Sequence, residues 1–158
     1  MFWGVQNGWG IRFLIDGKSL IFIGHTQEAK TSNVFIEDFP PEVVEAFKKI
    51  MFGNNMDVDE TELTVELLMF ANKYCILSLV KVVTTHLSAN LTYENIYAVI
   101  EGAYLIENDE LLQAAALFVK KSTEKFRNND RWIKFKSQHP KCAVKLLDFM
   151  MQWLLKIP

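Results

Sequence analysis

The sequence has few of the features that mark secreted, membrane-spanning or disordered proteins. Only two of its 158 residues are Cys, and Cys75 and Cys142 lie far apart, so neither a disulfide scaffold nor a close-spaced metal or redox pair is expected. Seven Gly and four Pro in a chain that is half apolar indicate a folded domain. No apolar run approaches the length of about 18 residues that a membrane span needs, and residues 1–10 lack the basic start of a signal peptide. We therefore expect a nuclear or cytoplasmic protein that does not contact a membrane.

An excess of charge of one sign is also missing. Lys and Arg number 17 against 19 Asp and Glu, which gives a net charge of −2 and a pI of about 5.9. This balance provides no overall attraction to DNA or RNA, so we expect no nucleic acid partner. The basic residues between Lys120 and Arg127 are interleaved with Glu124, which favours a solvated helix face over a nucleic acid site.

No recognisable pattern of catalytic or metal-binding residues is present. The three His residues are isolated from one another and from the cysteines, whereas a metal site on one element needs a short spacing. Residues 8–10 lack the third glycine and the following helix of a phosphate loop. The acidic residues between Asp57 and Glu62 lack the pattern of a calcium loop and favour a helix N-terminus. Cys75, in apolar surroundings, is predicted to be a packed thiol. We predict no enzyme activity, no catalytic residue, no metal and no cofactor.

The N-terminal quarter favours short strands. Asn7-Gly8 and Asp16-Gly17 are hairpin-turn dipeptides, and they separate segments at residues 2–6, 9–15 and 18–23 that favour β-structure. Residues 34–36 predict a further minimal strand. Two or three short N-terminal strands are therefore expected.

The rest of the chain has the apolar spacing of successive helices. We predict helices that begin near Pro41, Thr61, Leu77, Thr92, Asp109 and Pro140, and a shorter helix around Trp132. The linkers are short, so these helices should pack as antiparallel pairs. No internal repeat of 20–50 residues is visible. The predicted fold class is α+β, mostly α-helical, with an N-terminal strand segment at 1–24, a middle part at 25–90 and a helical extension at 91–158.

The order of these segments resembles a known family. Val34-Phe35-Ile36-Glu37-Asp38 followed by Pro41-Glu42-Val43 resembles the strand-and-helix step in the second half of a BTB/POZ domain. Glu66-Leu67-Leu68 with Ala71-Asn72-Lys73-Tyr74 resembles a helix motif of that family, with Asn72 where aspartate is usual. Leu91-Thr92-Tyr93-Glu94-Asn95 resembles the start of the helical extension called the three-box, and Trp132 with His139-Pro140 resembles its C-terminal part in speckle-type POZ proteins. The resemblance implies a partial BTB/POZ domain at 25–90 and a three-box or BACK-like extension at 91–158.

The N-terminal segment departs from this family. A full BTB domain begins with a strand pair and a helical hairpin, which the residues before His25 do not resemble, and no substrate-binding MATH domain precedes the match. The sequence therefore resembles a truncated or rearranged member. Because the usual BTB dimer surface uses the N-terminal helix, ordinary BTB dimerisation is not expected.

The resemblance implies a partner and a set of contact residues. Family members bind a cullin scaffold of the third class and recruit it to ubiquitin ligases. Part of that contact is an apolar residue, any residue and a glutamate, which align here with Thr26, Gln27 and Glu28. Tyr93 and Ile96, on the three-box, are further candidates for cullin contact, and either residue has a core position as its alternative. Leu147 lies on the helix that resembles a second self-association surface.

We therefore expect a non-enzymatic adaptor for protein ubiquitination that binds this cullin and associates with itself or with other BTB/POZ proteins. Because Thr26 replaces the apolar anchor, the expected cullin affinity is about tenfold weaker than that of a full family member. The alternative is a truncated structural or interfering fragment that self-associates or binds relatives without binding cullin.

Overall fold

Helices make up nearly all of the chain that the structure describes. In this computed structural model the described residues are 10–11, 34–36, 38–53 and 61–154. Their helices are α1 (Pro41–Gly53), α2 (Thr61–Lys73), α3 (Leu77–Ala89), α4 (Ile96–Leu105), α5 (Asp109–Lys121), α6 (Thr123–Arg127), α7 (Asp130–Gln138) and α8 (Pro140–Leu154). The predicted predominance of helix is confirmed. No helix in these ranges has both the length and the apolar character that crossing a bilayer requires.

The predicted N-terminal strands are not shown as continuous elements. Sheet structure in the described ranges is one antiparallel pair of two-residue strands, β1 (Gly10–Ile11) and β2 (Val34–Phe35), in which Gly10 lies opposite Phe35. The remaining residues of the predicted segments at 2–6, 9–15 and 18–23 lie outside the described residues. The β part of the predicted fold class is therefore limited here to a minimal pair.

The helices form stacked antiparallel hairpins. Helix α2 pairs with α3 and α4 pairs with α5, and the second hairpin packs on the first, with α4 on α2 and α5 on α3. Helix α8 then covers α5 and α4, and α1 packs on the other side of α2. One apolar cluster runs through these layers, from Ile36 to Phe149. It crosses the predicted boundary at residues 90 and 91, which falls in the turn between α3 and α4.

The two central hairpins repeat one another, although no repeat is visible in the residue types. Every buried position of α3 recurs as a buried position of α5 at an offset of 32 residues, and five of the six buried positions of α2 recur in α4. The matched pairs include Leu68 with Ile100 and Val83 with Ala115. Apolar side chains of different shape satisfy the same burial pattern, which is why the sequence gives no sign of it.

Both hairpins turn in the same way, and this turn corrects the prediction for Cys75. Cys75 and Glu107 each have a φ of 55°, and each is the second residue after the end of a helix, at Lys73 and Leu105. After Cys75, the amide of Ile76 donates to the Ala71 carbonyl (2.8 Å) while the Cys75 amide donates to that of Asn72 (3.1 Å). These are the two hydrogen bonds of a Schellman turn, whose left-handed residue points outward. Cys75 is therefore exposed, and the prediction of a packed thiol was wrong.

The C-terminal third is held by aromatic rings. The helical basic run expected over Lys120–Arg127 is broken at Ser122, where α5 ends and the short α6 begins. Phe126 of α6 is buried, and its ring centroid lies 6.0 Å from that of Trp132. Helix α8 begins at Pro140, as predicted from the proline at its first position.

Candidate interaction surfaces

A reciprocal cap fixes the turn that carries Tyr93. The amide of Asn95 donates to Thr92 Oγ1 (3.2 Å), and the amide of Thr92 donates to Asn95 Oδ1 (2.8 Å). Asn95 Nδ2 also donates to the carbonyl of Asn90, at the end of α3. The reciprocal hydrogen bonds are those that the spacing of Thr92 and Asn95 predicts, but they close a turn that precedes the helix, and α4 begins later than predicted, at Ile96. This arrangement anchors the first turn before α4, and hence Tyr93, to the preceding hairpin.

Tyr93 lies half-buried between the ends of α5 and α6. Its ring centroid is 5.3 Å from that of Phe118 and 5.7 Å from that of Phe126. Its hydroxyl donates to Ser122 Oγ (2.9 Å), and the ammonium of Lys125 lies 4.3 Å from its ring centroid. In the ionised form of Tyr93 the Ser122 hydroxyl can donate to the phenolate oxygen, and this hydrogen bond, followed by the interaction with Lys125, lowers the pKa of the Tyr93 hydroxyl. The ring therefore combines an apolar side in the protein with a polar side at the surface.

Ile96 occupies the core. Its side chain is fully buried, so the core position that the sequence left open as an alternative is the one observed. It corresponds to buried Thr64 of the preceding hairpin, and it has no surface to offer a partner in this structure. Of the two three-box candidates, only Tyr93 has an accessible side chain.

A second tyrosine and two more cations extend the surface around Tyr93. Arg131, on α7, places its guanidinium 5.0 Å from the Tyr97 ring centroid and donates from Nη2 to the Glu94 carbonyl (3.2 Å). Lys136 lies 5.8 Å from the Trp132 ring. Burial raises the pKa of the Tyr97 hydroxyl, with Arg131 opposing it. The sequence predicts Lys125 on a solvated helix face, but it predicts neither the contact of Lys125 with the Tyr93 ring nor the position of Arg131. The signal that marks them is the concentration of basic residues after residue 119.

Leu147 belongs to an exposed apolar stripe on α8. Val144, Leu147 and Met151 are 57%, 43% and 53% exposed. Their spacing of three and four residues places them on one side of the helix, opposite the buried Leu146 and Phe149. Three exposed apolar side chains in a row form a surface suited to contact with another protein.

The described surface offers little for bond chemistry. A groove of about 590 Å³ lies beside Tyr104, Glu107 and Asp109, but Asp109 is paired with Lys145 at 3.1 Å. Burial, followed by the charge of Glu101, raises the pKa of the Cys142 thiol, which opposes formation of a thiolate. Within the described ranges, no three His, Cys, Asp or Glu side chains are grouped so as to hold a metal ion.

The three predicted cullin-contact residues before the first long helix, Thr26, Gln27 and Glu28, lie outside the described residues. The structure therefore places Tyr93 and Leu147 at the surface, on different elements, and Ile96 inside.

The chain matches no protein-family model, and no curated protein is significantly similar to it.

Proposed function

We propose that this protein is a non-enzymatic adaptor of the BTB/POZ type that binds a cullin scaffold of the third class through the hairpin α4–α5. The proposal rests on the resemblance of its segments to a BTB core followed by a three-box. The observation that carries it is Tyr93, half-exposed on a capped turn at the position that the resemblance assigns to cullin contact. A ring fixed on both sides loses little conformational freedom on binding, which favours its use as an anchor.

The stacking of the hairpins supports the same proposal. Because α4 packs on α2 and α5 on α3, the predicted extension continues the body of the predicted core without a flexible linker. A rigid docking body suits an adaptor, whose work is to hold two proteins at a defined distance. Its activity would come from surface shape and apolar burial, without bond chemistry.

Titration of the full-length chain with a cullin N-terminal fragment by isothermal calorimetry tests the proposal. We expect measurable binding that Tyr93→Ala weakens at least tenfold, since burial of an aromatic ring contributes about 1.5–3 kcal/mol. Tyr104→Ala is the matched control, because Tyr104 is a half-buried tyrosine at the far end of α4, the helix that follows Tyr93. Circular dichroism checks that both variants keep their helix content.

Thr26 gives an independent arm of the same experiment. Replacing Thr26 by Leu restores the apolar anchor of the family motif, and we expect the affinity to rise about tenfold. Absence of binding by both the natural chain and Thr26→Leu at submillimolar concentration would overturn the adaptor proposal. Equal losses of cullin affinity for Tyr93→Ala and Tyr104→Ala would show that Tyr93 is not part of the cullin contact.

The α8 stripe favours a second candidate function, a self-associating fragment that binds no cullin. Its support is the exposed row of Val144, Leu147 and Met151. We expect sedimentation velocity to show a concentration-dependent dimer that Leu147→Asp dissociates. Ile133→Asp, on the exposed side of α7, is the control for introducing a charge at an exposed apolar residue. A monomer at all concentrations argues against this candidate.

A further inference from the structure

The positive charge of this protein is concentrated in one part of its sequence. Residues 120–145 contain nine Lys or Arg against Glu124 and Asp130, whereas the rest of the chain contains eight against seventeen acidic residues. The net charge of −2 is therefore the sum of a basic segment and a strongly acidic remainder. This segregation is the charge asymmetry that marks an electrostatic interaction surface.

Part of this charge is held in place at the surface rather than neutralised. Lys125 and Arg131 are exposed and lie on the rings of Tyr93 and Tyr97, with Arg131 also bonded to the Glu94 carbonyl. We call these two cations, with the turn from Tyr93 to Tyr97, the cationic face. In the part of the chain that the structure describes, neither cation has a carboxylate partner within 4.0 Å.

Other cations extend this surface. Lys121 and Lys134, at the end of α5 and on α7, are exposed and also lack a carboxylate partner among the described residues. Arg127 approaches Glu124 at 3.9 Å, a long and fully solvated pair. A ligand that brought carboxylates to this region would find cations already ordered by aromatic rings, which lowers the entropic cost of binding.

We propose that the cationic face binds a short acidic peptide segment, rich in Asp or Glu, of a partner protein. Two observations favour a peptide over a nucleic acid. Lys125 and Arg131 already lie on the half-exposed rings of Tyr93 and Tyr97, and the neighbouring rings of Phe126, Trp132 and Phe135 are 3%, 7% and 5% exposed, so little ring surface is left for bases to stack on. The acidic remainder of the chain opposes a long polyanion more than a short segment, because a short segment meets fewer of its carboxylates. The inference goes beyond the proposed function, because it concerns the chemistry of a ligand and does not require a cullin.

Fluorescence anisotropy with a labelled dodecapeptide of alternating Glu and Gly tests this proposal on the full-length chain. We expect binding that weakens with added NaCl and is lost when Gln replaces Glu in the peptide. The double variant Lys125→Gln/Arg131→Gln should weaken binding roughly fivefold or more, since each exposed ion pair contributes up to about 1 kcal/mol. The control Lys49→Gln/Lys81→Gln changes the net charge by the same amount at exposed lysines outside the cationic face and should leave affinity within about twofold.

Three outcomes would overturn the proposal. The first is no anisotropy change at low salt with the Glu peptide. The second is an equal loss for the two double variants, which would make the attraction a property of net charge alone. The third is tighter binding of a short DNA duplex or of vesicles containing phosphatidylserine than of the peptide. No arm of this assay contains a cullin, so its failure leaves the cullin titration unaffected, and the reverse also holds.

Discussion

Gly102 allows the two central hairpins to come together, and replacing it tests the stacked arrangement. A Cβ atom built on Gly102 of α4 would lie 2.5 Å from Val65 Cγ1 of α2. Carbon atoms make favourable contact at about 3.5–4.0 Å, so Gly102→Ala requires one of the helices to move. Val65 is 8% exposed and on a helix, and it therefore has little room to give way.

Two opposing terms set the size of the effect. Overpacking of a closely packed core costs about 1–3 kcal/mol. Replacing Gly by Ala within a helix contributes about 1 kcal/mol in the stabilising direction. We therefore expect Gly102→Ala to lower the free energy of unfolding by about 1 kcal/mol, although helix propensity alone predicts an increase.

A double-mutant cycle with Val65→Ala separates the two terms in urea unfolding followed by circular dichroism. Val65→Ala alone should cost about 2 kcal/mol through lost burial and a small cavity. In that background the obstructing methyl group is gone, so Gly102→Ala should raise stability by up to about 1 kcal/mol. The expected coupling between the two sites is then about 2 kcal/mol. An increase in stability from Gly102→Ala in the natural sequence would refute the close contact of α2 with α4.

Three further predictions concern single side chains. Cys75→Gly and Glu107→Gly should each raise the free energy of unfolding by about 0.5–1 kcal/mol, because glycine accepts the positive φ of 55° at these positions. Equal stabilisation by Cys75→Ala would argue against this cause. Asn108→Ala should cost about 1–2 kcal/mol in the same urea assay, because it removes both the cap of the Leu111 amide and the hydrogen bond that Nδ2 donates to Thr84 Oγ1. Asn108→Asp keeps the cap acceptor but not the donor to Thr84, so it should recover only part of the loss. In an alkaline titration followed by ultraviolet absorbance, Tyr93 should ionise below the usual tyrosine pKa of 10.0. Lys125→Met should raise the pKa of the Tyr93 hydroxyl, and an unchanged titration curve would contradict the contact with Lys125.

Most helix starts are predictable because local chemistry determines them. Proline at the first position of α1 and α8 and the paired side chains of Thr92 and Asn95 act within one turn of the chain. Apolar spacing in α2 to α5 likewise identifies the buried face of each helix. These signals depend only on residues that are close in sequence, so they can be recognised without knowledge of the fold.

The errors have a different origin, since each depends on contacts between distant residues or on a backbone turn without its usual residue. Cys75 occupies a left-handed turn position where Gly is the usual signal, so its apolar neighbours suggested a packed thiol. The break of the basic run at Ser122 follows from the burial of Phe126 against Trp132, which no local spacing reveals. What repeats between the two hairpins is the set of buried positions, and the type of a single residue does not determine whether it is buried.

The candidate surface shows the same division between local and tertiary information. Tyr93 and Ile96 are three residues apart; the apolar spacing of α4 favours Ile96 on the buried face, and the packing of α4 on α2 decides between that core position and a surface contact. The role of Lys125, on α6, and of Arg131, on α7, depends on their contacts with the rings of Tyr93 and Tyr97, which are distant in sequence. The stacked hairpins use their apolar residues to build a rigid body, so the features left for recognition are the cationic face and the stripe on α8. These surfaces differ in chemistry, one suited to carboxylates and the other to apolar side chains, and a partner that prefers one should be insensitive to mutation of the other.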